Sequence, residues 1–222
     1  SINTQLTMAC LNYSNTLLAA LKAAKVVDDE TGEEYAVDAA VRLDVLTNSP
    51  NRELRRRMYE TYINLGTGAE NNTTQYIETI LRLRQRKAEL LGFKNYAAYQ
   101  CDNVMSKTPE AAYDLLKQIF DASVKKVKEE VADMERLLND DMRRAEMEAN
   151  PGCAIEDKGW LIQPWDYYYY AEKVKAERYN LTENDTKPYF ELNNCVNKGI
   201  FNLAKKLYGI EIAELPDAPR YN

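Results

Sequence analysis

The sequence predicts an all-α fold: a multi-helix array with one long helix near 108–145 and at most a minor strand near 41–46. Three observations predict it. Glycine (8) and proline (7) are scarce for 222 residues, so few turns are obligatory. Apolar residues recur at spacings of three and four through most of the chain. Thr108-Pro109-Glu110 joins a cap, a first-position proline and an acid favoured by the helix dipole.

Taken in order, Leu6, Cys10, Tyr13, Leu17, Leu18 and Leu21 mark a helix from 6 to about 25. The acidic stretch 28–34, with Gly32, reads as a turn. Val41, Leu43 and Val45 alternate with Arg42 and Asp44, a weak strand pattern. Ser49-Pro50 reads as a cap followed by proline at the first helical position of a helix to about Leu65, which Gly66 and Gly68 end. A helix over about 70–91 stops at Gly92, and a shorter one covers 93–103. From Thr108, the residues Leu116, Ile119, Phe120, Val124, Val127, Val131, Met134, Leu138 and Met142 hold helical spacing over about 35 residues, roughly 50 Å. The pattern drifts from strict heptads, which argues against a continuous coiled coil. Asn150-Pro151-Gly152 breaks the helix and 153–163 reads as a loop. Further helices are expected from Pro164 to about Tyr179, after a Thr182-x-x-Asp185 capping box, and from Tyr189 to Tyr208 with Gly209 as the stop. The rest, 211–222 with Pro216 and Pro219, reads as an extended tail. Residues 1–222 are therefore expected to be one helical domain or fragment, divided at 49 and 210.

Composition narrows function. The net charge is −6, which does not suit a phosphate-binding surface, so no nucleic-acid partner is expected. The basic clusters at 52–57 and 82–87 have acidic neighbours and read as solvated helix faces. No run approaches the roughly 18 apolar residues of a membrane span. Cys10, Cys101, Cys153 and Cys195 are widely spaced, which suits free thiols in a reducing, cytoplasmic setting. Five N-x-S/T sequons read as chance matches. The chain begins with Ser1 rather than Met, which fits an excised or a tagged piece.

Histidine is absent throughout, which removes Ser-His-Asp and Cys-His pairs, histidine-based zinc sites and Glu-x-x-His di-iron sites from these residues. Asn139-Asp140-Asp141 lacks the alternating spacing and central glycine of a calcium loop and reads as helix surface. No phosphate-binding glycine motif occurs. The run Tyr167-Tyr168-Tyr169-Tyr170 turns about 100° per residue, so its rings cannot all line one groove and packing is the expected role. No catalytic, cofactor-binding or metal-ligating residue is assigned within 1–222.

Several blocks occur in a set order. They are Asn51-Arg52-Glu53-Leu54-Arg55, Ala88-x-Leu90-Leu91-Gly92-Phe93, Met105-Ser106-Lys107-Thr108-Pro109-Glu110, Pro164-Trp165-Asp166 and Lys187-Pro188-Tyr189-Phe190-Glu191-Leu192. Together they resemble the segment that leads into the catalytic core of the thimet oligopeptidase, oligopeptidase A and peptidyl-dipeptidase family of zinc peptidases. The block at 187–192 is most similar to the peptidyl-dipeptidase (dipeptidyl carboxypeptidase) branch. N-terminal to Pro50 the likeness is poor, and 144–158 departs from the pattern. The resemblance implies a mostly helical parent with a deep channel that admits short unstructured peptides and releases C-terminal dipeptides. It implies zinc on a His-Glu-x-x-His helix and a further glutamate, none of which lies in this chain. This chain alone is then expected to be inactive, with the catalytic portion of the same polypeptide as its partner and a dimer through the exposed packing face as a further expectation. Two other readings compete: a free-standing all-α module that binds a protein or peptide, and a pseudo-peptidase that retains peptide binding alone.

Overall fold

The structure is a computed structural model that describes residues 1–68, 70–151, 158–180, 183–213 and 215. It is predominantly helical, and backbone proximity divides it into two compact units, Ser1–Val174 and Lys175–Asn222. The expected loop at Cys153, the cap at Thr182 and the tail prolines Pro216 and Pro219 lie outside the described residues.

In the first unit, helix α1 (Ile2–Ala23) is capped by the Ser1 side chain and packs along α4 (Thr74–Leu90). Small residues, Ala9 and Ala20 on one helix and Ala88 on the other, are buried and allow close approach. Between α1 and the next helix lies a short antiparallel hairpin, β1 (Lys25–Val27) with β2 (Glu34–Ala36), registered Val26 to Tyr35. The acidic turn at 28–34 is its loop. These are the strands of the described residues, and neither falls where a strand was expected. Residues 41–46 are instead inside α2 (Ala39–Asn48). Asp38 decides this: its carboxylate accepts from the backbone N–H groups of Ala40 and Val41, which starts a helix that side-chain alternation alone does not reveal.

The cap of α3 (Arg52–Ile63) is also displaced from its expected place. Asn51, not Ser49, accepts from Glu53 N and Leu54 N, and Pro50 precedes the cap. Val26, Val37, Val45, Leu54 and Met58 close a small core among the hairpin, α2 and α3. Gly66 ends the α3 turn at φ +77° and its carbonyl accepts from both the N–H (2.7 Å) and the hydroxyl of buried Thr73. That bond delays the start of α4 to Thr74, four residues later than expected. Gly92 stops α4 at φ +83°, and α5 (Tyr96–Asp102) follows with an Asn95 cap.

Thr108 caps α6 through Ala111 N, and α6 runs Pro109–Ala149, 41 residues or about 60 Å. A second core joins its Met134 and Leu138 to Tyr170 of α7 (Tyr167–Tyr179), with Trp160, Ile162 and Val174 packed against it. Pro164 does not begin α7; a turn at 164–166 precedes it.

In the second unit the expected single helix from 189 to 208 is broken. Short helix α8 (Glu183–Thr186) is followed by a 3-10 turn, Lys187–Phe190, set by Pro188. A π-helical stretch, Asn194–Phe201, then passes into α9 (Asn202–Tyr208), which Gly209 closes at φ +65°. Among the described residues these elements bury no residue fully.

Candidate functional site

The best-formed polar site lies where the 158–166 segment meets α3 and α6. Asp166 is fully buried, and three donors converge on its carboxylate. Arg52 makes a forked contact, Nε to Oδ1 at 3.0 Å and Nη2 to Oδ2 at 2.6 Å. Arg55 Nη2 donates to Oδ1 at 3.0 Å, and the backbone N–H of Gln163 donates to Oδ2 at 3.2 Å. Arg55 is itself 1% exposed; its Nη1 donates to the carbonyls of Ser49 and Pro50, and its guanidinium lies 4.2 Å from the Tyr169 ring centroid. Burial pushes the Asp166 carboxyl up, but the hydrogen bonds from Arg52 and Arg55 outweigh it and hold the group below the usual carboxylate range.

A second polar cluster continues from it. Lys173 Nζ and the Tyr170 hydroxyl both donate to Asp141, at 2.5 and 3.2 Å. Burial and the neighbouring Asp141 charge raise the Tyr170 phenol well above its ordinary value. Asn139 pairs reciprocally with the Trp160 backbone: Trp160 N donates to Oδ1 at 2.8 Å and Nδ2 donates to Trp160 O at 2.9 Å. Asn139 and Asp141 thus tie α6 to the Trp160 segment and to α7, where the sequence reading expected only helix surface.

The basic cluster at 52–57 divides. Arg56 and Arg57 lie on the surface and pair with Glu53, Glu60 and Asp29. Arg52 and Arg55 correct the expectation of a solvated face, because their partner stands more than 110 residues away. The tyrosine run divides as its geometry predicts, with Tyr170 buried and Tyr167 and Tyr168 exposed.

Both oxygens of Asp166 are committed to donors and neither reaches solvent. The group is suited to bracing α3 against the start of α7, not to moving protons. Elsewhere, α1 and α4 border an open groove of about 490 Å³ with Gln5, Asn12, Gln75 and Arg82 on its walls. Cys10, Cys101 and Cys195 are free thiols. Among the described residues no three His, Cys, Asp or Glu side chains come together in a way that could hold a metal, so the residues present do not fit a zinc site. No helix of the described residues is long and apolar enough to cross a membrane.

The model of peptidase family M3 matches residues 45–222. The chain belongs to peptidase family M3. Among its relatives, the dipeptidyl carboxypeptidase of Escherichia coli K12 is 35% identical over 152 residues, 68% of this chain and 20% of that protein. The dipeptidyl carboxypeptidase of Salmonella typhimurium LT2 is 27% identical over an alignment that takes in all of this chain and 34% of its own length. Oligopeptidase A of the same organism is 32% identical over 90% of this chain and 28% of itself. The family and the nearer likeness to its dipeptidyl carboxypeptidase branch are both borne out. This M3 chain spans between a fifth and a third of the length of these relatives. Arg52, Arg55 and Asp166 fall within the M3 match, so the brace belongs to the family-like region.

Proposed function

We propose that residues 1–222 are the non-catalytic helical scaffold of a zinc-dependent, cytoplasmic peptidyl-dipeptidase of family M3. The longer polypeptide takes short unstructured peptides and releases C-terminal dipeptides, and this chain alone is inactive. Zinc is held by residues outside 1–222.

One observation carries the scaffold reading. Large apolar side chains stand exposed in both units. Leu116, Phe120, Tyr189, Phe190, Leu192, Leu203 and Leu207 are all more than half exposed. Such surface suits a portion of a larger folded body. The family match and the relatives' greater length support the same reading.

The test is to sequence the reading frame past the codon for Asn222 and express what it encodes. A downstream His-Glu-x-x-His with a third carboxylate ligand, and dipeptide release by the longer product but not by 1–222, is the expected result. A stop codon after Asn222, or cleavage by 1–222 itself, overturns the proposal. A stop codon would move the chain to the binding-module reading, which calorimetry against short peptides would then separate from a pseudo-peptidase.

A further inference from the structure

Helices α1 and α4 border a second groove, of about 360 Å³, whose lining is distinct from that of the larger one. It lies wholly within the first unit: Cys10, Tyr13 and Ser14 of α1 stand across it from Ile77, Ile80, Leu81 and Arg84 of α4. The three α4 aliphatic side chains give it an apolar floor. The hydroxyls of Tyr13 and Ser14 and the Arg84 guanidinium supply its polar groups. None of these lining residues is acidic.

Arg84 differs from its neighbours in the 82–87 cluster. Arg86 pairs with Glu89 at 3.4 Å, Lys87 Nζ lies 5.2 Å from the Tyr99 ring centroid, and Arg82 is exposed on the wall of the other groove. Arg84 Nε is buried and has no acceptor among the described residues. What holds the guanidinium is Tyr96, whose ring centroid lies 5.2 Å away and which packs in turn against Tyr99 at 5.8 Å. A guanidinium set against an aromatic ring is pre-organised, and its terminal N–H groups remain for a forked acceptor. A buried donor without a partner in its own protein is uncommon and calls for an explanation.

The groove also selects the acceptor. One cation beside an aliphatic floor suits a single negative charge on an apolar body. A phosphate group carries more charge and more acceptor oxygens than one guanidinium can match. The volume falls near the lower end of the about 300–1,000 Å³ typical of small-ligand sites.

We propose that this groove is a binding site for a small aliphatic monocarboxylate. Its carboxylate sits on Arg84, with the Tyr13 and Ser14 hydroxyls as further donors, and its chain lies against Ile77, Ile80 and Leu81. The site stands apart from the scaffold reading, because every lining residue belongs to two helices of the first unit.

The test titrates the 222-residue chain with hexanoate and with N-acetyl-leucine, a fatty-acid and a peptide-terminus source of the same chemistry. Calorimetry reads binding, and the rate of Cys10 alkylation by iodoacetamide reads its place, with Cys101 and Cys195 as internal references. The expected result is saturable binding of at least one carboxylate, slowed alkylation at Cys10 alone, and no binding of hexanamide. Whichever carboxylate binds more tightly names the source. Arg84→Gln should weaken binding about tenfold or more, through loss of a charge-assisted hydrogen bond. Because Arg84 also packs on Tyr96, Leu81→Glu provides a second variant. Position 81 is 59% exposed and three residues before Arg84, so the introduced carboxylate should engage the guanidinium and block the ligand while the helix stays folded. No binding of either carboxylate, equal binding of hexanamide, tighter binding of inorganic phosphate, or binding that either variant leaves unchanged overturns the proposal. Each of these failures leaves the scaffold reading untouched.

Discussion

Asp166 concentrates much of the consequence of single residues in this chain. Replacing it with Asn keeps the shape but leaves Arg55 buried without its carboxylate, and removing one partner of a buried ion pair costs about 3–5 kcal/mol. Urea titration of Asp166→Asn should show a loss of that order, with little change for Arg56→Gln, whose pairs with Glu53 and Glu60 lie in solvent. The pH dependence has a definite sign. The folded-state pKa of Asp166 lies below its unfolded value of about 3.9. Its contribution is therefore complete above pH ~4 and is lost as pH falls toward the depressed folded value. The stability gap between the natural chain and Asp166→Asn should narrow below pH 4, measured by urea midpoints at successive pH values. Gly66 is the second sensitive residue. At φ +77°, an added Cβ would stand 2.9 Å from the Thr73 side chain, so Gly66→Ala should lower the thermal midpoint by the equivalent of about 1–2 kcal/mol.

Elements differ in how far the sequence alone reveals them. Helix α6 was legible at its start because Thr108, Pro109 and Glu110 are a local signal, and the Gly92 and Gly209 stops were legible for the same reason. Helix α2 was not, since Val41, Leu43 and Val45 mimic alternation while the deciding contact is one carboxylate at Asp38. The hairpin has strands of three residues each, too short for periodicity to register. Arg52 and Arg55 carried no local sign of burial, because acidic neighbours at 53 and 60 suggest a solvated face and the true partner is remote. Periodicity likewise marked the whole apolar stripe of α6 without distinguishing buried Met134 and Leu138 from exposed Leu116 and Phe120. That difference is measurable. Leu138→Ala should destabilise the 222-residue chain by about 2–5 kcal/mol through lost burial and a cavity. Leu116→Ala should change it by less than about 0.5 kcal/mol, as exposed positions do. Urea unfolding of the two variants checks both values.

At the scale of the whole molecule, exposed apolar area dominates. Leu192, Leu203, Leu207 and Tyr208 in the second unit are each more than half exposed, and so is the first half of α6. The 222-residue chain should therefore bind an apolar-surface dye and associate with rising concentration in light scattering. A monodisperse monomer that leaves the dye dark would count strongly against the scaffold reading.

The brace at Asp166 also orders events in time. Arg55 and its carboxylate partner are separated by 111 residues, and a ribosome adding about 5–20 residues per second takes roughly 6–22 s to make that stretch. Throughout that interval Arg52 and Arg55 of α3 lack the carboxylate that buries them. The α3 surface that later becomes interior must stay hydrated until the Trp165-Asp166 turn has emerged. The hairpin, α2 and the apolar side of α3 can settle early, while the contact of α3 with Asp166 and the start of α7 waits for synthesis to pass residue 166.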